Sequence, residues 1–136
     1  MGSRKRKTAA VIKENKKNLF FAKLNNCSIS PRKMRLVADI IRGQDVENAI
    51  NILKFNAKEA SNRLEKLLLS AIANWESKNE GSSIETSKLY IKQITVDSGR
   101  MLKRIQPAPQ GRAHRIRKRS NHVTIVLGSR TKENEN

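Results

Sequence analysis

Cysteine is almost missing. Cys27 stands alone among 136 residues, which excludes a disulfide framework and a thiolate cluster for a metal and leaves a small semi-buried side chain. Aromatic residues make up only 4%, too few for ring platforms that stack successive bases of a single strand. No apolar run approaches the roughly 20 residues needed to cross a bilayer. Leu19 to Ala22 is also far too short for the apolar centre of a signal peptide, so the chain is expected inside the cell, soluble or held in an assembly. Acids are scarce as well: 12 Asp and Glu stand against 29 Lys and Arg, a net charge of +17 with pI ≈ 10.7. A charge of that size repels itself in a free compact monomer and points to nucleic acid, or to an anionic membrane surface, as partner. A membrane-active protein needs a strong apolar face beside its charges, and none shows here.

Catalytic patterns are missing too. There is no phosphate-cradling glycine loop, no Walker pattern and no Ser/His/Asp grouping by spacing. His114 and His122 have no Cys, Asp or Glu beside them, so ordinary polar positions or bonds to phosphate account for them. Asp39, Asp45 and Asp97 read as helix-surface, cap and turn acids. The expectation is a non-enzyme with no cofactor and no metal.

What is present is concentrated between Ser98 and Lys132. The run GRMLKRIQPAPQGRAHRIRKR carries Arg100, Lys103, Arg104, Arg112, Arg115, Arg117, Lys118 and Arg119, and no acid falls between Asp97 and Glu133. A Pro107-Ala108-Pro109-Gln110-Gly111 knot sits at its centre. Strand-like runs, Leu89 to Val96 and His122 to Leu127, flank it. Strand, basic arm, turn, basic arm, strand predicts a long β-hairpin over about 89–127 with its tip at about 102–113. An extended arm from Ser98 to Gln106 would reach roughly 30 Å at about 3.3 Å per residue. A two-stranded ribbon is marginal in water by itself, and only Met101, Leu102, Ile105 and Ile116 offer it apolar contact. Such an arm is expected to be mobile alone and ordered inside a polyanion.

The rest of the chain supplies a body. Residues 1–17 form a basic N-terminal extension (Arg4, Lys5, Arg6, Lys7, Lys13, Lys16, Lys17) expected to be a disordered arm, or one that settles on a polyanion. Asn18 to Leu24 is the first strand candidate. Ser30 as cap, Pro31 at the first helical position and Gly43 as stop bound a helix. Its apolar stripe is Met34, Val37 and Ile41 with Leu36 and Ile40; Arg32, Lys33, Arg35 and Arg42 lie outside it. Cations in a first turn oppose the helix dipole, so Arg32 and Lys33 suggest an anionic partner. Asp45 can cap a second helix through Val46, Ala49, Ile50 and Leu53. Asn56 with Glu59 reads as a capping box for a third, longer helix along Ala60, Leu64, Leu67, Leu68, Ala71, Ile72 and Trp75. Asn79 to Ser83 is a loop, and 131–136 is a polar tail expected to fray. The whole predicts one α+β domain over 18–130: three helices packed on a small antiparallel sheet with one long protruding β-hairpin.

These residues resemble the large-subunit ribosomal protein twenty-two family in its bacterial form. The resemblance runs from about Leu19 to Leu127 and rests on several long motifs in order. They are SPRKMRLVADIIRG (Ser30 to Gly43), then Val46, Ala49 and Leu53, SAIANWE (Ser70 to Glu76), VDSG (Val96 to Gly99), KRIQP (Lys103 to Pro107), GRAHRI (Gly111 to Ile116) and KRSNHVTIV (Lys118 to Val126). It implies a structural constituent of the large subunit in the cytoplasmic ribosome, with the body near the tunnel exit and the hairpin tip lining the nascent-peptide tunnel. Implied partners are large-subunit ribosomal RNA, neighbouring ribosomal proteins and the nascent chain, with macrolides binding near the tip and a part in subunit assembly. By the same resemblance the tunnel lining would be Leu102, Lys103, Arg104, Ile105, Gln106, Pro107, Gly111, Arg112 and Ala113. The RNA-contacting set would be Arg32, Lys33, Arg35, Arg42 and the arm cations. The match departs at Ala108 and Gln110, where the family often carries basic residues.

The composition and the resemblance agree on a binder of structured RNA, recognising shape through phosphate contacts. The alternative from the residues alone is an architectural DNA-bending protein whose basic β-arm inserts Pro107 or Pro109 as a wedge at a base step.

Overall fold

A computed structural model describes residues 3–79 and 87–130. In chain order the elements are helix α1 (Ser3–Lys17), strand β1 (Phe20–Cys27), helices α2 (Pro31–Ile41), α3 (Val46–Phe55) and α4 (Glu59–Lys78), strand β2 (Leu89–Pro107), a short 3-10 turn (Pro109–Gly111) and strand β3 (Ala113–Ser129). The sheet order is β1-β3-β2, all antiparallel, so β3 is the middle strand of the body.

Alternation decides which sheet face is dry. On β3, Asn121, Val123, Ile125 and Leu127 are buried while His122, Thr124 and Val126 between them are not, the period of two expected of a strand with one wet face. On β2 the phase changes. Leu89 and Ile91 are buried, then Ile94 and Val96, because the register slips between Ile91 and Gln93 and Lys92 is the extra residue. A second slip, between Leu24 and Cys27, does the same on β1, where Asn26 takes φ 53°. The bulges keep apolar side chains on one face although the sequence spacing is odd there.

The helices cover that face. Ser30 caps α2 by accepting from the Lys33 N–H, Pro31 sits in its first turn, and Gly43 (φ +73°) ends it, as the spacing predicts. Met34, Val37, Ala38 and Ile41 are its buried face. Leu36 and Ile40, expected in the stripe, are instead exposed, because they lie about 110–150° round the helix from the Met34–Ile41 line. α4 buries Ala60, Leu64, Leu67, Leu68, Ala71, Ile72 and Trp75, as expected, and Ser61 with them. Trp75 meets Phe20 of β1 edge-on, 6.4 Å between centroids. The α2–α3 connection covers the outer edge of β2: the Gly43 N–H donates to the Ile91 carbonyl, and the Ile91 N–H donates to that of Gln44. That edge is thereby closed to another strand.

Three further expectations need correction. The segment before β1 is not a disordered arm; Ser3–Lys17 is helical, which makes four helices rather than three. Asn56 is not the cap of α4: Lys58 occupies that position, and the Asn56 side-chain oxygen accepts from the Lys58 N–H two residues on. Asp45 holds the cap position of α3 but makes no capping bond; its carboxylate lies 3.3 Å from the Arg130 guanidinium. Most of the expected loop from Asn79 to Ser83, and the 131–136 tail, lie outside the described residues.

Candidate nucleic-acid interface

The hairpin departs from the body at a fixed point. Val96 is the last buried residue of β2 and Asn121 the first of β3; no residue between them is buried. At this root the register slips once more, between Ser98 and Met101, so that Gly99 and Arg100 face Ser120 alone. A larger residue would be crowded there. A Cβ on Gly99 would lie 2.6 Å from the Ser120 hydroxyl oxygen and 3.2 Å from the His122 Nε2, and Ser120 donates that hydroxyl to the Arg100 carbonyl. The bulge sets the angle at which the arms leave.

Beyond it, pairing runs unbroken from Met101↔Arg119 to Pro107↔Ala113, about 23 Å of ribbon at roughly 3.3 Å per residue. The turn is tighter than the expected 102–113 tip. The Ala108 N–H donates to the Arg112 carbonyl at 2.9 Å, and Gln110 and Gly111 both take left-handed backbone (φ 61° and 69°). Gly111 adopts that conformation freely; Gln110 takes it at a cost.

Every predicted arm cation (Arg100, Lys103, Arg104, Arg112, Arg115, Arg117, Lys118 and Arg119) is exposed, as are the proposed tip residues Leu102, Ile105, Gln106, Pro107, Gly111 and Ala113. Strand register assigns their faces. Lys103 lies directly opposite Arg117, with Met101, Ile105, Arg115 and Arg119 on the same side; Leu102, Arg104, Gln106, His114, Ile116 and Lys118 share the other. A like-charge pair directly across a ladder is destabilising, and no acid along either arm offsets it. Both faces therefore carry positive charge with interspersed apolar carbon, which suits phosphates on two sides rather than a groove on one.

The α2 cations divide into two kinds. The Arg35 guanidinium donates to the Val96 carbonyl at 3.0 Å; that of Arg42 donates to the Ile94 carbonyl at 2.8 Å and pairs with Asp39 at 3.0 Å. Both tie α2 to β2, and the Asp39 carboxylate offsets part of the Arg42 charge. Arg32 and Lys33 are exposed in a first turn without acids. Asn121 brings them to the hairpin: its buried amide donates to the Ile29 carbonyl at 2.6 Å, so the N-terminus of α2 is fastened to the root of β3. The positive end of the helix, with its two exposed cations, is thus tied to the foot of the basic ribbon.

Sequence reasoning missed Asn121, whose role is invisible without knowing that Ile29 lies opposite. It also missed the bulge at Gly99 and the carbonyl bonds of Arg35 and Arg42, which spacing alone does not reveal. His122 has a structural part: its Nδ1 accepts from the Asn26 N–H at 3.0 Å. Among the described residues no group of three His, Cys, Asp or Glu side chains could hold a metal, and Cys27 is buried and free. No helix among them is long and apolar enough to cross a membrane.

Comparison with known proteins finds a family and close relatives. The model of a family described as ribosomal protein L22p/L17e matches residues 22–128. A large ribosomal subunit protein uL22 of Christiangramia forsetii is 68% identical over 129 residues, covering 95% of this chain and 96% of its own. The protein of the same name from Bacteroides thetaiotaomicron is 58% identical over 131 residues, 96% of each chain. That of Porphyromonas gingivalis is 56% identical over 134 residues, 98% of this chain and 99% of its own.

Proposed function

The chain belongs to the ribosomal protein L22p/L17e family, and from that premise we propose that it works as an internal clamp on large-subunit ribosomal RNA. It is a structural, non-enzymatic constituent of the large subunit of the cytoplasmic ribosome. The finer reading concerns how it binds. The body rests on RNA through the α2 N-terminus, and the ribbon passes between RNA segments so that phosphates on both sides neutralise its arms. Its distal end, from Leu102 to Ala113, reaches the nascent-peptide tunnel and forms part of the wall, where a passing chain or a bound macrolide would meet it. By holding separate RNA segments together the ribbon would support assembly of the subunit.

One observation carries this reading: a paired ribbon of about 23 Å, cationic on both faces and without an acid, projects from a well-packed body and buries none of its own side chains. Such an object gains a stable form only inside negative charge. The test measures affinity of the full chain for folded large-subunit RNA against salt, with duplex DNA as competitor. Six arm cations (Arg100, Lys103, Arg104, Arg112, Arg115 and Arg117) are then changed to Gln. Each phosphate contact contributes about 0.7–0.9 to the slope of log affinity on log salt, so the variant should lose about four to five units. An unchanged slope, or a preference for DNA over the folded RNA, would overturn it.

A further inference from the structure

Helix α1 lies outside the matched family region and has no assigned partner. All its residues from Ser3 to Lys17 are exposed and none is buried. Its two larger apolar side chains, Val11 and Ile12, are 54% and 51% exposed; a single adjacent pair makes no stripe that could pack on the body. The first turn has no acid, although Arg4, Lys5 and Arg6 stand there against the helix dipole. A lone helix of this length is marginal in water, and like charges three and four apart (Lys13 with Lys16 and Lys17) weaken it further.

The arrangement of the charges is not random around the axis. At about 100° per residue, Lys5, Arg6, Lys13, Lys16 and Lys17 fall within a sector of about 120°, and the only other side chain there is Ala9. Glu14, the one acid of the helix, lies outside it, with Thr8, Ala10, Val11 and Ile12. The end of the helix is held by the body. Lys78, at the end of α4, donates its ammonium to the Lys17 and Leu19 carbonyls at 3.2 and 3.0 Å and sits over the Phe20 ring at 5.4 Å. A cation thus satisfies the negative end of the helix and sets where the rod, roughly 22 Å long, begins.

We propose that α1 is a second RNA-binding element, a cationic rod whose Lys5–Arg6–Lys13–Lys16–Lys17 side lies along a ribosomal RNA duplex independently of the hairpin. Charge complementarity names the occupant: five cations on one side with only an alanine among them suit a continuous line of phosphates. A protein partner would need apolar contact that this side lacks. The inference rests on the proposed RNA clamp, and the test separates the two. Affinity of the full chain for folded large-subunit RNA is titrated against salt, beside three variants. In the first, Lys5, Arg6, Lys13, Lys16 and Lys17 are all changed to Gln. In the second, Arg4 and Lys7, outside the sector, are changed to Gln. The third is Ala10→Pro, which breaks the helix and leaves the charge intact.

The five-residue variant should bind about tenfold or more weakly and lose about four units of salt slope, at roughly 0.9 per phosphate. Arg4 and Lys7 together should cost less than one unit, and Ala10→Pro should weaken binding with no change in net charge. Failure of the full chain to bind folded RNA would overturn the clamp and this inference together. Normal binding with an unchanged slope in the five-residue variant, an equal loss per charge on and off the sector, or an Ala10→Pro chain that binds like the full one would overturn the rod alone.

Discussion

Replacing Asn121 with Ala should destabilise the body more than any other single change of a polar side chain at the hairpin root. The residue is fully buried, its amide nitrogen lies 2.6 Å from the Ile29 carbonyl, and its own side-chain oxygen has no partner. Truncation removes a bond worth about 1 kcal/mol net and leaves a buried carbonyl unsatisfied, which costs about 1–3 kcal/mol. A void where the amide stood adds to this. The sum is about 3 kcal/mol, or a fall in Tm of about 12 °C for a domain of this size. Asn121→Leu loses the same bond and the same partnerless oxygen and leaves the same carbonyl unpaired, but it fills the void, so it should cost about 1 kcal/mol less than Ala. Urea unfolding followed by far-ultraviolet circular dichroism measures both, with equal m-values as the check that the denatured state has not changed. The physics is refuted if Ala costs less than about 1 kcal/mol, or if Leu costs as much as Ala.

Gly99→Val should strain the root bulge by about 1–3 kcal/mol, because its side chain meets Ser120 and His122; RNA affinity should fall with it, and a variant with unchanged Tm and unchanged affinity would sink the hinge. Backbone amides from Arg100 to Arg117 should exchange fast in the free protein and slowly once RNA is bound, and strong protection in the free protein would contradict a partner-ordered ribbon. Deleting Leu102 to Arg104 should leave Tm within about 2 °C, since these residues bury nothing in the body; a large fall would show that the arms support the core.

The sequence made some elements plain because their causes are local. Ser30, Pro31 and Gly43 act within a few residues of themselves, and the α2 helix lies where they place it. The alternation of Val123, Ile125 and Leu127 likewise needs only the strand that bears it. The hairpin was legible for a related reason: a charge run without acids between two strand-like segments has few other solutions. What stayed hidden depends on residues far apart in the chain. Leu36 and Ile40 have the right chemistry for a core, and only the placement of β2 shows that Met34, Val37 and Ala38 face it instead. The bulges at Lys92 and Gly99 are registers between two strands, which neither strand announces alone. The helicity of α1 was masked by its charge: composition argued for disorder, whereas Thr8, Ala9 and Ala10 with the surrounding lysines do not oppose helical backbone strongly.

Two kinds of force divide the molecule, and the division has a consequence for how mutations should sort. Within the body, burial of Met34, Leu64, Ile94 and Ile125 supplies stability that salt scarcely touches. In the ribbon, backbone pairing works against Lys103 facing Arg117, and screening with salt relieves that repulsion while also weakening phosphate contacts. Body substitutions should therefore shift Tm at constant salt slope, and arm substitutions should shift the slope at constant Tm. Asn121 is the residue that should break this separation. It is buried like the core, yet it fastens the α2 N-terminus, with Arg32 and Lys33, to the foot of the ribbon. Loosening it should both lower Tm and reduce RNA affinity, because those two cations would lose their fixed place beside the arms. If Asn121→Ala proved to lower Tm alone, with RNA affinity and salt slope intact well below the new Tm, then α2 and the ribbon bind their partner as separate surfaces rather than one.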